Sequence, residues 1–321
     1  MISLRYHIVS LVAVFLALAL GIVVGSTVLQ EGTVSVLRAT SQRVREESEV
    51  NSRQNVDLKR KLARQQSFGA AVLPELVQGR LKDRPVVLVD TDKVDGGMRD
   101  SMRKVLEDAG AEVDGQVTFA DGRLALGAEG DRTALGRLLT IDAADPEVLR
   151  GELVKKLADR LATPSAMPQE SQQRASDMLT GLQDADFLAD LKLSRPLAGG
   201  IDPFPRPGSI FVLIGPADGA AIVPEAFLVP LAGQLSARAT GPLAGVEPEA
   251  AGTPPTTSFV TSLRNDREVS RRVSGIDAID TDFGQLALVR ALQDSLQQGT
   301  SGQYGVKDGA SGLLPEKADG S

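Results

Sequence analysis

Few residues in this sequence are equipped for chemistry. The chain of 321 residues holds no cysteine and a single histidine, His7. A thiolate metal site, a cysteine nucleophile, an imidazole zinc site and a Ser-His-Asp triad are therefore all closed to the bulk of the chain. Met98 and Met102 sit one helical turn apart and are the close pair among five methionines. Two thioethers at that spacing are weak candidates for a soft metal, since Cu(I) takes Cys or Met sulfur and Cu(II) takes imidazole. Both fall on the apolar face of an expected helix, where a thioether serves equally well as core filler. Asp90, Asp92 and Asp95 crowd one strand-to-helix turn. They are either a partial shell for a hard cation, short of oxygen ligands, or ordinary loop carboxylates. The same turn lacks G-x-G-x-x-G, and its aspartates would repel a pyrophosphate, so the dinucleotide signal is absent. No catalytic set remains; a non-enzyme without a resident cofactor is the expectation.

The elements that position these residues begin with an apolar run. Ile8 to Leu29 carries no charge, and none occurs between Arg5 and Glu31. At 1.5 Å rise per residue it spans about 30 Å, the hydrocarbon thickness of a bilayer. A cleaved signal peptide is the competing reading, with Ala17-Leu18-Ala19 as its cleavage site, but the run continues past the 7–15 residues of such cores. An uncleaved anchor over residues 1–30 is expected. The flanking Arg5 and Glu31 put the amino terminus in the cytoplasm, while Arg38, Arg43 and Arg45 pull the other way. The balance leaves the carboxyl-terminal bulk outside the cell membrane.

Residues 31–70 form a polar, proline-free helical stalk. A heptad frame with Val34, Asn55 and Leu62 at a and Leu37, Val44 and Leu58 at d gives a seam in which apolar layers alternate with polar ones. A two-stranded parallel coiled coil, with a homodimer as its consequence, and a single solvated helix both satisfy this pattern. Between Arg38 and Arg64 the stalk has eight basic and four acidic residues, whereas the whole chain has a net charge of −7. That charge, with 3% aromatics and no tryptophan, argues against nucleic-acid binding and against an aromatic carbohydrate cleft.

Pro74 and Gly79 mark a joint, and an α/β domain follows over residues 84–298. Pro85 to Asp90 reads as a buried parallel strand, Gly96 to Gly110 as a helix, and Gln116 to Phe119 as a second strand, one β-α-β unit. Helices are expected at Asp131 to Leu139, at Pro146 to Leu161 behind an Asp145 cap, and at Ser171 to Leu191. Ile210 to Ile214 is the central strand, Pro224 to Leu235 a short helix, and Leu243 to Val246 and Ser258 to Leu263 are weaker strands. Thr281 to Gln297 is a last amphipathic helix, and residues 299–321 are expected to be a disordered tail. The fold class is thus α/β: a transmembrane helix, a coiled-coil-like stalk, then a parallel or mixed sheet flanked by helices.

Three stretches resemble an actinobacterial family named for the mycobacterial copper transport protein B. They are Met1-Ile-Ser-Leu-Arg-Tyr-His7 with its anchor and Gly21-Ile-Val-Val-Gly25, then Pro85-Val-Val-Leu-Val89, and a closing motif. That motif runs Val273-Ser-Gly-Ile-Asp277-Ala-Ile-Asp280-Thr281 through Gly284 and on to Gly302-Gln-Tyr304-Gly305; Ile276 departs from the family's valine. The resemblance implies copper efflux or homeostasis and an outward-facing carboxyl-terminal part in the cell envelope. It equally implies a second possibility, an envelope scaffold paired with a SteA-type partner in wall assembly and division. Asp277 and Asp280 are the family-borne polar pair, and turn chemistry with capping of the last helix is the role expected of them.

Overall fold

The computed structural model describes residues 4–142, 145–166, 177–194, 203–249 and 258–315, with side chains except at 4–5, 26–39 and 165–166. The chain divides into two units, Met1–Ser67 and Phe68–Ser321. The first is carried by helix α1 (Leu4–Val77). Within it Tyr6–Gly25 has a mean hydropathy of 2.9 and no buried residue, and is long and apolar enough to cross a bilayer. Farther along, Val44, Leu58 and Leu62 stand exposed, as does Asn55. Val34 and Leu37 lie in the same helix, but their side chains are outside the described residues. The ion pairs Arg53–Glu49 (3.3 Å) and Lys61–Asp57 (3.0 Å) join successive turns, each worth a few tenths of a kcal/mol.

Pro74 does not end α1, contrary to the expected joint. It forfeits one backbone bond, yet Leu73 and Val77 are buried in the core of the second unit, and that packing outweighs the loss. The helix stops at Gly79 instead, whose φ of 71° only glycine adopts without strain.

The second unit is built on a seven-stranded sheet. Its strands are β1 (Pro85–Thr91), β2 (Glu112–Phe119), β4 (Leu188–Leu193), β6 (Ile210–Ile214), β7 (Leu243–Val246), β8 (Ser274–Ile276) and β9 (Gln303–Tyr304). A short ribbon of β3 (Ser165–Ala166) and β5 (Pro203–Phe204) lies apart from them. The order is β4-β2-β1-β6-β7-β8-β9, parallel throughout except for β4 at the edge. β1 to β2 moves one way across the sheet and β1 to β6 the other, so the strand order reverses at β1/β6, as in doubly wound folds.

Period-two alternation divides the core between the two faces. Val87 and Val89 pack with Phe119, α4 (Glu129–Leu139), α5 (Pro146–Ala162) and α7 (Leu228–Ser236) on one side. Val86 and Leu88 pack with α2 (Gly96–Asp108), α9 (Asp282–Gln298) and the end of α1 on the other. Both faces being covered is why β1 and β6 read as continuous apolar runs. The helices start where the sequence puts caps: Asp95 accepts from Met98 N, Asp145 from Glu147 N and Thr281 from Gly284 N.

Three further expectations are corrected. In place of a helix from Ser171 to Leu191 there is a short one, α6 (Met178–Asp184), followed by the antiparallel strand β4; residues 171–176 lie outside the described set. Asp186, at φ 57°, turns the chain between them, a break that apolar spacing does not reveal. Ser258 to Leu263 is not a strand but the start of α8 (Phe259–Asn265), with Ser258 Oγ capping Thr261 N at 3.1 Å. The run Ser-Phe-Val-Thr-Ser-Leu satisfies both periods over so few residues, and the cap decides it. The tail is not structureless through residue 315: β9 adds a parallel strand beside β8, pairing Gly275 with Gln303 and Ile276 with Tyr304.

Candidate functional site

In open parallel sheets ligands settle outside the carboxyl ends of the strands, near the reversal of strand order. Here the crevice at β1/β6 is closed by the chain itself. Asp121, fully buried at the start of α3 (Asp121–Leu124), accepts hydrogen bonds from the backbone N–H groups of Ala221 and Ile222. That ties the loop after β6 to the segment after β2, across the end of β1. Asp90, at the end of β1, is held internally through one oxygen: its Oδ2 accepts from Arg99 Nε (2.7 Å) and Gln116 Nε2 (3.0 Å), while Oδ1 is buried without a hydrogen-bond partner among the described residues. Burial pushes its carboxyl above the usual carboxylate range despite Thr118 and Arg99, which pull the other way. Asp92 accepts from Asp121 N and Asp95 caps α2, so each of the three aspartates serves donors of its own. Among the described residues no group of three or more His, Cys, Asp or Glu is placed to hold a metal ion.

An open cleft of about 690 Å³ lies one step along, outside the carboxyl ends of β6 and β7. Its floor is an ion pair. Glu247, directly after β7 and 2% exposed, accepts from Lys307 Nζ at 2.7 Å. It also accepts from Ser258 Oγ and from Val260 N at the start of α8, so each of its oxygens is engaged. Below lies a second, deeper pair. Asp277, directly after β8, meets Arg264 of α8 at 2.8 Å, the two side chains 0% and 4% exposed. The Asp277 carboxylate also accepts from Val306 N (2.6 Å) and Lys307 N (3.1 Å), while Arg264 donates to the carbonyls of Tyr304 and Asp308. Two buried pairs thus bolt the segment after β9 over the sheet, and that segment carries Lys307 into the cleft.

This arrangement corrects the role expected of Asp277. It does not cap the last helix; Thr281 does, its Oγ1 accepting from Gly284 N at 3.2 Å. Asp280 accepts from Glu249 N (2.8 Å) and so fastens the β7 exit loop to the turn after β8. Gly305, at φ 133°, passes so close to the Asp277 carboxylate that any side chain would collide with it. Tyr304 packs partly buried beside the α9 face of the core. Met102 is fully buried in that same core and Met98 packs against it. Sequence reasoning missed Glu247, Arg264 and Lys307. A carboxylate closing an apolar run, as at Asp90, is present at Glu247, whereas Lys307 lies in a Gly-rich, polar stretch whose composition reads as a disordered tail.

A helix long and apolar enough to cross a bilayer, joined in one chain to a doubly wound α/β domain with an open cleft at the sheet's carboxyl edge, defines the class: an α/β protein with an amino-terminal apolar helix. Over residues 1–315 the chain matches the family described as "Copper transport outer membrane protein, MctB", and it belongs to that family. Proteins called "Copper transporter MctB" from Mycobacterium tuberculosis and Mycobacterium bovis are 27% identical to it over 97% of this chain and 98% of theirs. The protein of that name from Mycobacterium leprae is 26% identical over 98% of this chain and 99% of its own.

Proposed function

We propose that this protein serves copper efflux or homeostasis as a membrane-tethered docking module, without carrying the copper itself. The family and its relatives' names support the copper part. The observation that supports docking is the poverty of soft ligands: no cysteine, and one histidine, which lies within the apolar Tyr6–Gly25 stretch. A path for copper needs thiolate, thioether or imidazole groups in succession, and Met102 is locked in the core. In this reading Tyr6–Gly25 spans the cell membrane, the α/β domain faces outward, and the protein works in the envelope, where a SteA-type protein is a suitable partner.

Two measurements separate the parts. Cells deprived of the protein accumulate copper on copper challenge; unchanged copper content sinks the copper part. Calorimetric titration of the full chain in detergent micelles with Cu(I), kept reduced, and with Cu(II) gives no stoichiometric heat. One-to-one binding at sub-micromolar Kd in that titration sinks the docking part and leaves the copper part standing.

The stalk supports a dimer in the same reading. Val44, Leu58 and Leu62 recur at seam spacing on a helix face that one chain leaves exposed, and two anchors in one membrane raise the local concentration of a weak seam. Cross-linking through Leu58→Cys in proteoliposomes yields a disulfide-joined dimer, whereas Arg60→Cys on the far side of the helix does not. Equal yields at the two positions count against a specific seam.

A further inference from the structure

The cleft at the sheet's carboxyl edge does not end at α8. A second hollow of about 440 Å³ runs between α7 and α8, and Glu225 and Ser262, hydrogen-bonded to each other, line both, so the two hollows adjoin across that contact as one interrupted groove. We propose that this groove takes an extended, basic segment of a partner polypeptide. The inference rests on the docking reading above and names the chemistry of what docks.

Shape is the first argument. The groove is open to solvent and passes over α8, where the Ser262 and Thr261 hydroxyls are held by Glu225 and Ser258 and make a fixed polar wall. A small ligand is held by enclosure on most sides, whereas an extended chain is held along a trough with pockets for some of its side chains.

Apolar surface is the second. Val223 and Val306 both line the cleft, 53% and 52% exposed, among the few large apolar side chains that the described residues of the second unit leave to water. With Pro224 and Pro248, which line it too, they give the cleft an apolar wall on which an apolar side chain of a bound segment would settle.

Charge is the third and sets the sign of the partner. Asp218, Glu225, Asp308, Asp266 and Glu268 rim the groove. The two cations beside them are already committed: Lys307 to Glu247 at 2.7 Å and Arg272 to Glu268 at 3.7 Å. The rim is therefore net acidic even with both cations counted, and a partner bringing Lys or Arg side chains meets complementary potential, while an acidic one is repelled. The same sign disfavours nucleic acid.

The test uses the full chain in detergent micelles and fluorescence anisotropy of a labelled Gly-Lys-Val-Lys-Val-Lys-Gly peptide. Its Glu-for-Lys counterpart and free cadaverine are the comparisons. The basic peptide binds at least about tenfold more tightly than the acidic one, and raising salt from about 50 to about 500 mM weakens it severalfold, as rim electrostatics require. Val306→Ser and Glu225→Lys each weaken it about fivefold or more, while Glu107→Lys, on α2, leaves it unchanged; thermal unfolding of each variant confirms that it is folded. A photo-crosslinker at the peptide's first valine labels residues 216–225 or 306–308. Equal binding of the two peptides, indifference to both groove variants, labelling elsewhere, or no binding at all overturns the proposal. Cadaverine matching the peptide in affinity overturns it too, since the site would then be one for small amines. None of these results depends on whether copper binds.

Discussion

Asp277→Ala is expected to be the most damaging single polar substitution in the α/β domain. It removes the carboxylate from a pair in which both side chains are almost wholly shielded from water. The Arg264 guanidinium is then buried without a counter-charge, a situation that costs about 3–5 kcal/mol. The N–H groups of Val306 and Lys307 lose their acceptor at the same time. The segment after β9 is released, and Lys307 is withdrawn from Glu247. Chemical denaturation of the full chain in micelles measures the stability loss, and hydrogen exchange should place its onset in residues 303–314. Replacing both partners, Arg264→Met with Asp277→Leu, should recover only the part owed to the uncompensated charge, because the N–H groups of Val306 and Lys307 and the carbonyls of Tyr304 and Asp308 still lack their partners. A loss below about 1 kcal/mol in the single variant would show that water reaches the pair.

Much of this domain was readable in the sequence because its signals are local. Five apolar residues at Ile210–Ile214 can be buried on both faces only in a central strand, and that is where β6 lies. The cap at Asp145 marks a helix start to within a residue, since it satisfies a backbone donor that the helix cannot. Asp95 and Thr281 cap their helices in the same way, but a reading of the sequence alone leaves Asp95 in the loop and gives the last cap to Asp277 and Asp280. What stayed hidden depends on partners far away in the chain. Pro74 sits inside a helix because Leu73 and Val77 find a core made by α2 and α9. Gln303 and Tyr304 form a strand only because β8 offers an edge, and a two-residue strand carries no periodicity of its own. The cleft is hidden for the same reason. Glu247 and Lys307 are 60 residues apart, and nothing in either neighbourhood announces the other. Asp277 is intermediate: its position in the closing motif that resembles the family flags it, but a local reading offers only a turn or a cap, whereas its partners come from α8 and from beyond β9.

Gly284→Ala carries the second large effect, and its sign runs against helix propensity. Gly284 stands in the first turn of α9, where alanine would be worth up to about 1 kcal/mol on propensity alone. A Cβ there, however, would lie 2.7 Å from the Ala278 carbonyl carbon and 3.1 Å from Ile279 Cα, and nearer still to the Ala278 oxygen. That oxygen cannot step aside freely. It accepts from Thr281 N at 3.0 Å and from Thr281 Oγ1 at 2.6 Å, and Ala278 is already in the left-handed region at φ 56°. Moving it would loosen the Thr281 cap and shift Asp277, one residue upstream, away from Arg264. Crowding of this kind costs about 1–3 kcal/mol, so the packing term exceeds the propensity gain and a net loss is expected. Gly151 supplies the control: it is exposed within α5, with nothing within 4 Å of its Cβ position, so Gly151→Ala should stabilise by about 0.5–1 kcal/mol. Calorimetric unfolding of the two variants side by side should move Tm in opposite directions. A Gly284→Ala protein as stable as the Gly151→Ala one would mean that the turn after β8 yields without strain, and that the motif's glycine is there for some other reason than close approach of the two backbones.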